Sequence, residues 1–279
     1  MPQIKWLVQD TERMYSAIEN EFGPLKSLGY DVIPFGVIPF TDTVTGIDDL
    51  DPNDFYIIRG GTKIVKLLDC GTPDNLSYEL TEKLRLGISY NYRNFDQAYY
   101  SQLDLPLLNN TPEILNLSDD TDLYASFSVP KFVKPSSDLK AFTAGILEPG
   151  EVLKNFIENN YHRSGYKEET ALVHDVVDII AEHRFICLNG EVITGSQYRR
   201  NNCTVYNASI PSSVWDAANE YAKLYEPAEI YTMDLAETPT GIKIVEYNCW
   251  NGSGLYHMDV KKLFSTIQEY YKGKINGFV

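Results

Sequence analysis

The sequence predicts an α/β (α+β) protein of more than one lobe, and three observations carry that prediction. Apolar, β-branched runs alternate with helix-like stretches over the first hundred residues, the pattern of a small open α/β unit. Two hairpin signals stand in the second half, Asn189-Gly190 and Pro239-Thr240-Gly241, each between strand-like segments. The chain has 279 residues, 43% hydrophobic and 23% charged, longer than the ~100–150 residues of one typical domain, so several cores are expected.

Ile4 to Val8 reads as a strand, and Thr11 is placed to cap a helix from Glu12, whose carboxylate suits the positive end of the helix dipole. Asp31 to Ile38 is a second β-branched run, interrupted by Pro34. Phe55 to Ile58 has the compact pattern of a buried strand and ends at Arg59-Gly60-Gly61, before a helix-like stretch from Thr62 to Leu68. Strand ends of such a unit often hold a ligand, and Arg59 with the Gly60 and Gly61 amides could bind a carboxylate. A strand-to-helix turn that simply needs glycine explains the same residues.

From Tyr92 to Asp122 turn formers recur every few residues, which marks a boundary. Strands are then expected at Val129 to Lys134, Ala141 to Leu147 and Ala171 to Val177, with a helix from Glu151 to Tyr161. The first hairpin spans Glu182 to Tyr198, a helix runs from Ser212 to Tyr225, the second hairpin spans Ile230 to Asn248, and a helix from Asp259 to Tyr271 closes the chain.

Lys and Arg number 24 against 39 Asp and Glu, a net charge of −15. Binding to a phosphate backbone needs a positive field, so nucleic acid is not expected as a partner. No apolar run approaches the ~20 residues that cross a bilayer, and no membrane partner is expected. Cys70, Cys187, Cys203 and Cys249 are widely spaced, without a CxxC pair, which reads as reduced thiols in a cytoplasmic protein. His162, His174, His183 and His257 show no metal-binding spacing.

The second hairpin carries the most chemistry. With a three-residue loop at Pro239-Thr240-Gly241, Thr238 pairs with Ile242 and Asp234 lies opposite Glu246; strand alternation then puts Asn248 on the face of Glu246. Facing carboxylates destabilise a sheet by a few tenths to ~1 kcal/mol unless a cation offsets them. Mg²⁺ suits this hard-oxygen set, with Mn²⁺ as a substitute. A solvated acidic face is the competing explanation.

That spacing, Asp234 then Gly241 then Val245-Glu246-Tyr247-Asn248, resembles the metal-binding end of the ATP-grasp ligases. Phe132-Val133-Lys134-Pro135 resembles the strand whose lysine contacts ATP phosphates, and Lys140 to Gly145, with Thr143, resembles the loop that covers them. Ala171 to Asp178 is similar to the hinge that lines adenine, and Glu182-His183-Arg184-Phe185 to the segment holding a ribose-binding acid. The nearest likeness is to the clade named for two arginines and one lysine, over Tyr124 to Tyr271. The resemblance implies a pre-ATP-grasp α/β domain at 1–100, a small lobe at 101–175 and a C-terminal lobe with the metal site at 176–279, ATP lying between the lobes.

It further implies an ATP-dependent carboxylate–amine ligase working through an acyl phosphate, with ATP and Mg²⁺ as cofactors. Its partners would be a small-molecule, amino-acid or peptide carboxylate and an amine. Lys134, Lys140 and Arg184 would oppose phosphate charge, Asp178 and Glu182 would hold the ribose, and main-chain groups at Val176 and Val177 would meet adenine. Adjacent strand residues face opposite ways, so one of Arg199 and Arg200 joins Arg184, and Arg199 is the favoured one. Lys134 at a sheet edge, and structural salt bridges for Glu182 and Arg184, are the plain alternatives. Arg59, Gly60, Asn251 and Ser253 are candidates for the substrate. A nucleotide-binding scaffold without turnover and an ATP-grasp phosphotransferase are the competing functions.

Overall fold

The computed structural model describes residues 2–10, 21–38, 41–109, 111–138, 140–160 and 170–277. The helix expected from Glu12 lies outside them. The first sheet is built from β1 (Ile4–Gln9), β2 (Asp31–Val37), β3 (Val44–Thr45) and β4 (Phe55–Arg59), with the short α1 (Phe22–Ser27) before β2. Its order is β3-β2-β1-β4, with β1 parallel to both β2 and β4. Pro34 does not interrupt β2. It is tolerated because β3 reaches only Gly36 and Val37, leaving that edge of the strand unpaired at the position that lacks an N–H.

α2 (Thr62–Cys70) follows β4 and buries Ile64, Val65 and Leu68, and α3 (Tyr78–Arg85) is capped by the Ser77 hydroxyl. The turn-rich stretch then forms two one-turn helices, α4 (Tyr92–Phe95) and α5 (Gln97–Tyr100). Phe95 and Tyr100 pack with the third sheet rather than the first. A division at residue 100 therefore leaves on its N-terminal side two short helices that share the C-terminal core.

β5 (Glu113–Asn116), α6 (Asp120–Leu123), β6 (Lys131–Pro135), β7 (Gly145–Leu147), α7 (Leu153–Asn159) and β8 (Thr170–Asp175) make the second unit, an antiparallel sheet ordered β5-β8-β6-β7. β7 is shorter than the expected Ala141 to Leu147. Lys140, just before that stretch, has φ +54, a left-handed turn at the entry to it.

The third sheet contains β9 (Ala181–Leu188), β10 (Glu191–Arg200), β11 (Cys203–Asn207), β12 (Ile230–Thr238) and β13 (Gly241–Cys249), in the order β11-β10-β9-β12-β13. α8 (Ser212–Tyr221) covers one face through Val214 and Ala218, beside Phe185, Tyr231 and Met233. α9 (Val260–Ile275) covers the other. Asp259 caps it by accepting the Lys262 N–H at 3.0 Å, and Leu263, Phe264, Ile267 and Tyr271 recur at helical spacing on its buried face. That face meets Trp6 and Ile57 of the first sheet and Ile186 and Ile230 of the third. Each such side chain stabilises by about 1.5–3 kcal/mol when fully buried, so α9 fastens the first and third sheets together.

Candidate active site

The expected facing of Asp234 and Glu246 is present, but by another route. Thr238 pairs with Gly241, not Ile242, so the turn has two central residues, Pro239 and Thr240. The Thr238 hydroxyl stabilises it by donating to the Gly241 carbonyl at 2.7 Å. The register would then be one residue off at Asp234. A bulge at Val245 adds a residue to β13 and returns Asp234 opposite Glu246.

A cavity of about 870 Å³ lies between the second and third sheets, walled by Lys134 of β6, Val176 to Asp178 after β8, Glu182 of β9, Tyr198 and Arg199 of β10, and Glu246 of β13. Lys134 forms an ion pair with Glu246 across it. Arg184 makes a two-pronged pair with Asp234, Nε to Oδ1 at 2.8 Å and Nη2 to Oδ2 at 2.7 Å. Asn248 Nδ2 lies 3.0 Å from Glu246 Oε1 and 3.5 Å from Asp234 Oδ2. Three polar ends thus meet at one point, with two cations alongside.

Electrostatics keep this cluster charged. Burial pushes the Glu246 carboxyl up, but the ammonium groups of Lys134 and Lys140 outweigh it and hold the group well below the usual carboxylate range. Burial disfavours the charged Arg184, while the adjacent Asp234 more than compensates and raises it. Tyr198 and Tyr256 present their rings to this guanidinium at 5.5 and 5.1 Å. Among the described residues no three His, Cys, Asp or Glu side chains gather around a point. The two carboxylates are hard oxygen donors that fit Mg²⁺, and Asn248, whose Nδ2 faces them here, would join them through its oxygen on rotation of the amide.

On β10 a further bulge, at Tyr198, brings Tyr198 and Arg199 to the same carboxylate. Glu182 accepts from the Tyr198 hydroxyl at 2.6 Å and from Arg199 Nη1 at 3.1 Å. Arg200 pairs in register with Ala181, and its charge adds to the burial that chiefly disfavours a protonated His183.

A smaller pocket of about 230 Å³ adjoins the first, between the opening turn of α2 and the segment after β13. Thr62, Arg184, Asn248, Ser253 and Tyr256 line it, and Asp138 and Lys140 belong to the walls of both cavities.

One family model matches residues 117–265, just over half of the chain; it describes an ATP-grasp domain, family 2 of the clade named for two arginines and one lysine. The chain belongs to the ATP-grasp superfamily. It is accordingly an ATP-grasp enzyme. No curated protein matches it in sequence. Solved structures share the fold: the D-alanyl-alanine synthetase A of Vibrio cholerae superposes with a TM-score of 0.58 at 12% identity, covering 99% of this chain and 98% of that one. The D-cycloserine synthetase DcsG gives 0.58 at 10% identity, over 96% and 99%. The ATP-grasp ligase PsnB, in a complex with a precursor variant, Mg and ADP, gives 0.52 at 11% identity, over 96% and 98%.

Within this ATP-grasp fold seven of the residues expected at the nucleotide, Lys134, Lys140, Thr143, Val176, Val177, Asp178 and Glu182, line the larger cavity, whereas the eighth, Arg184, lines the smaller one. Three of the four expected substrate residues are instead committed to the fold. Arg59 is fully buried, clamped by Glu21 at 2.9 and 2.6 Å, and donates to the carbonyls of Trp250 and Ser253; its donors are spent internally. Asn251 donates to the Ile58 and Gly87 carbonyls at 2.6 and 3.0 Å and accepts the Ser89 N–H at 2.9 Å. A Cβ on Gly60 would approach Ile64 to 2.8 Å and Gln9 to 2.9 Å, so glycine is required there for packing. Ser253 donates to the Cys249 carbonyl at 2.8 Å while lining the smaller pocket.

Two residues at the cavities are not singled out by sequence patterns. Asp138 stands where the cavities join, its carboxyl raised by burial to about 6 despite hydrogen bonds from the Cys249 N–H and the Tyr90 hydroxyl. Its position shortly after Lys134, in the same phosphate-loop stretch, is the available signal. His174 lines the larger cavity with neither ring nitrogen partnered among the described residues, lowered to about 4 by burial and by Lys134. Its alternation with Leu172 on β8 places it on the Lys134 face.

Proposed function

We propose that this ATP-grasp enzyme is an ATP-dependent carboxylate–amine ligase that activates its carboxylate as an acyl phosphate and releases ADP and phosphate. The observation that carries the reading is the pair of adjoining cavities, one large enough for a nucleotide and one small, with Asp138 and Lys140 in the walls of both. In-line transfer of a phosphoryl group between two bound molecules needs such adjacency.

ATP would occupy the larger cavity, with main-chain groups at Val176 and Val177 toward adenine. Glu182, oriented by Tyr198 and Arg199, would take the ribose hydroxyls, with Asp178 beside it. Lys134, Lys140 and Arg184 would counter the phosphate charge as it shifts to the transferred group. Asp234, Glu246 and Asn248 would hold Mg²⁺, or Mn²⁺, which when bound supplies further charge neutralisation. Lys134 and Arg184 already neutralise Glu246 and Asp234 and can exchange carboxylate for phosphate as partner. The structures of D-alanine–D-alanine ligase, DcsG and PsnB share this fold, and a small amino acid, or the end of a peptide, suits a pocket of about 230 Å³.

The test is to supply ATP, Mg²⁺ and a panel of amino acids and short peptides, and to follow ADP release together with product masses. Condensed product with ADP supports the ligase. A phosphorylated substrate without condensation favours a phosphotransferase, and ATP binding with no ADP under any condition favours a scaffold.

A further inference from the structure

We infer that Asp138 receives the attacking amine and takes its proton, a role that rests on the ligase reading. Asp138 is placed for it by position and by partners. It belongs to the walls of both cavities, so its carboxylate stands where a carboxylate activated from one side meets an amine arriving from the other. Its two oxygens are oriented separately: Oδ1 accepts the Tyr90 hydroxyl at 2.9 Å and Oδ2 the Cys249 N–H at 3.0 Å. Each retains a lone pair.

Three other carboxylates at the site already face cations, Asp234 with Arg184, Glu246 with Lys134 and Glu182 with Arg199. Among the described residues Asp138 makes no salt bridge. Lys140 and Glu246 act on it from a distance with opposite signs, and Tyr90, Tyr100 and the Cys249 thiol are the other ionisable groups around it. A positively charged amine would be the missing counter-charge.

The chemistry requires such a group. An ammonium has no lone pair, so one proton must leave before nitrogen can attack. Asp138 takes that proton, the nitrogen pair forms the C–N bond, and the C–O bond to phosphate breaks with its electrons going to phosphate. The second proton lost by nitrogen leaves with the phosphate, and Asp138 returns its own to solvent. Burial places the carboxyl at about 6, so it is ionised at neutral pH and still a usable base.

Hydroxylamine separates this role from the ligase reading, because it is neutral at neutral pH and can intercept an acyl phosphate without a base. With each carboxylate of the panel, the wild-type chain should make hydroxamate with hydroxylamine and amide with the amine. Asp138→Asn should lower amide formation about 10²–10⁴-fold while hydroxamate falls only severalfold, and should abolish the rise in amide rate through about pH 6. Tyr90→Phe, which removes a donor that favours the carboxylate, should move that rise to higher pH, and it keeps the test available if Asp138→Asn does not fold. Equal loss of amide and hydroxamate in Asp138→Asn, or an unmoved pH profile in Tyr90→Phe, overturns the inference and leaves the ligase standing. A wild-type chain that makes hydroxamate with no carboxylate overturns both.

Discussion

The β12–β13 hairpin and the end of β4 both present charged side chains from strands, yet they differ in what those side chains touch. At the hairpin, Asp234 and Glu246 are paired with the side chains of Arg184 and Lys134 on other strands, and the group borders a cavity. At the turn, Arg59 is wholly enclosed, and Glu21 and two main-chain carbonyls take its donors. Side-chain partners beside open space can be exchanged for a ligand. Backbone carbonyls in a closed core cannot, and the residues that hold them are structural whatever their chemistry.

This contrast is open to direct attack. Arg59→Ala should cost about 3–5 kcal/mol of stability, because it leaves Glu21 buried without its partner, with nucleotide affinity of the folded protein unchanged; denaturant unfolding alongside calorimetry reads both. A loss of affinity without loss of stability would move Arg59 into the site. Glu246→Gln should reverse the pattern, with turnover reduced on the order of 100-fold or more and a near-native unfolding midpoint; near-normal turnover would remove Glu246 from the proposed metal set. Lys134→Ala should be milder, weakening ATP binding roughly tenfold through one lost charge-assisted contact. Unchanged affinity by calorimetry would reduce Lys134 to a sheet-edge partner of Glu246.

How far the site is legible in the sequence follows from the range of the interactions involved. Glu246 and Asn248 share a face because strand side chains alternate, a local rule readable from two residues. The facing of Asp234 follows from the sequence only through a turn that does not form, and it holds because the Val245 bulge compensates. Nothing local decides between Arg199 and Arg200; the Tyr198 bulge brings Arg199 to Glu182. Asp138 is harder still to read, because its burial requires Tyr90 and Cys249, 48 and 111 residues away.

The sequence by itself determined the longer strands, the two hairpins and the likeness to the ATP-grasp family, since these depend on periodicity and short spacing, but not the short β3, β5 and β11 or the helix α3. Tertiary structure alone decided which charges face a cavity and which are locked in the core. Arg59 and Arg184 are the same side chain, each carried by a strand, β4 and β9. One is closed in by Trp250 and Ser253 from a segment nearly two hundred residues away, while the other opens on a pocket, and no local pattern encodes that enclosure.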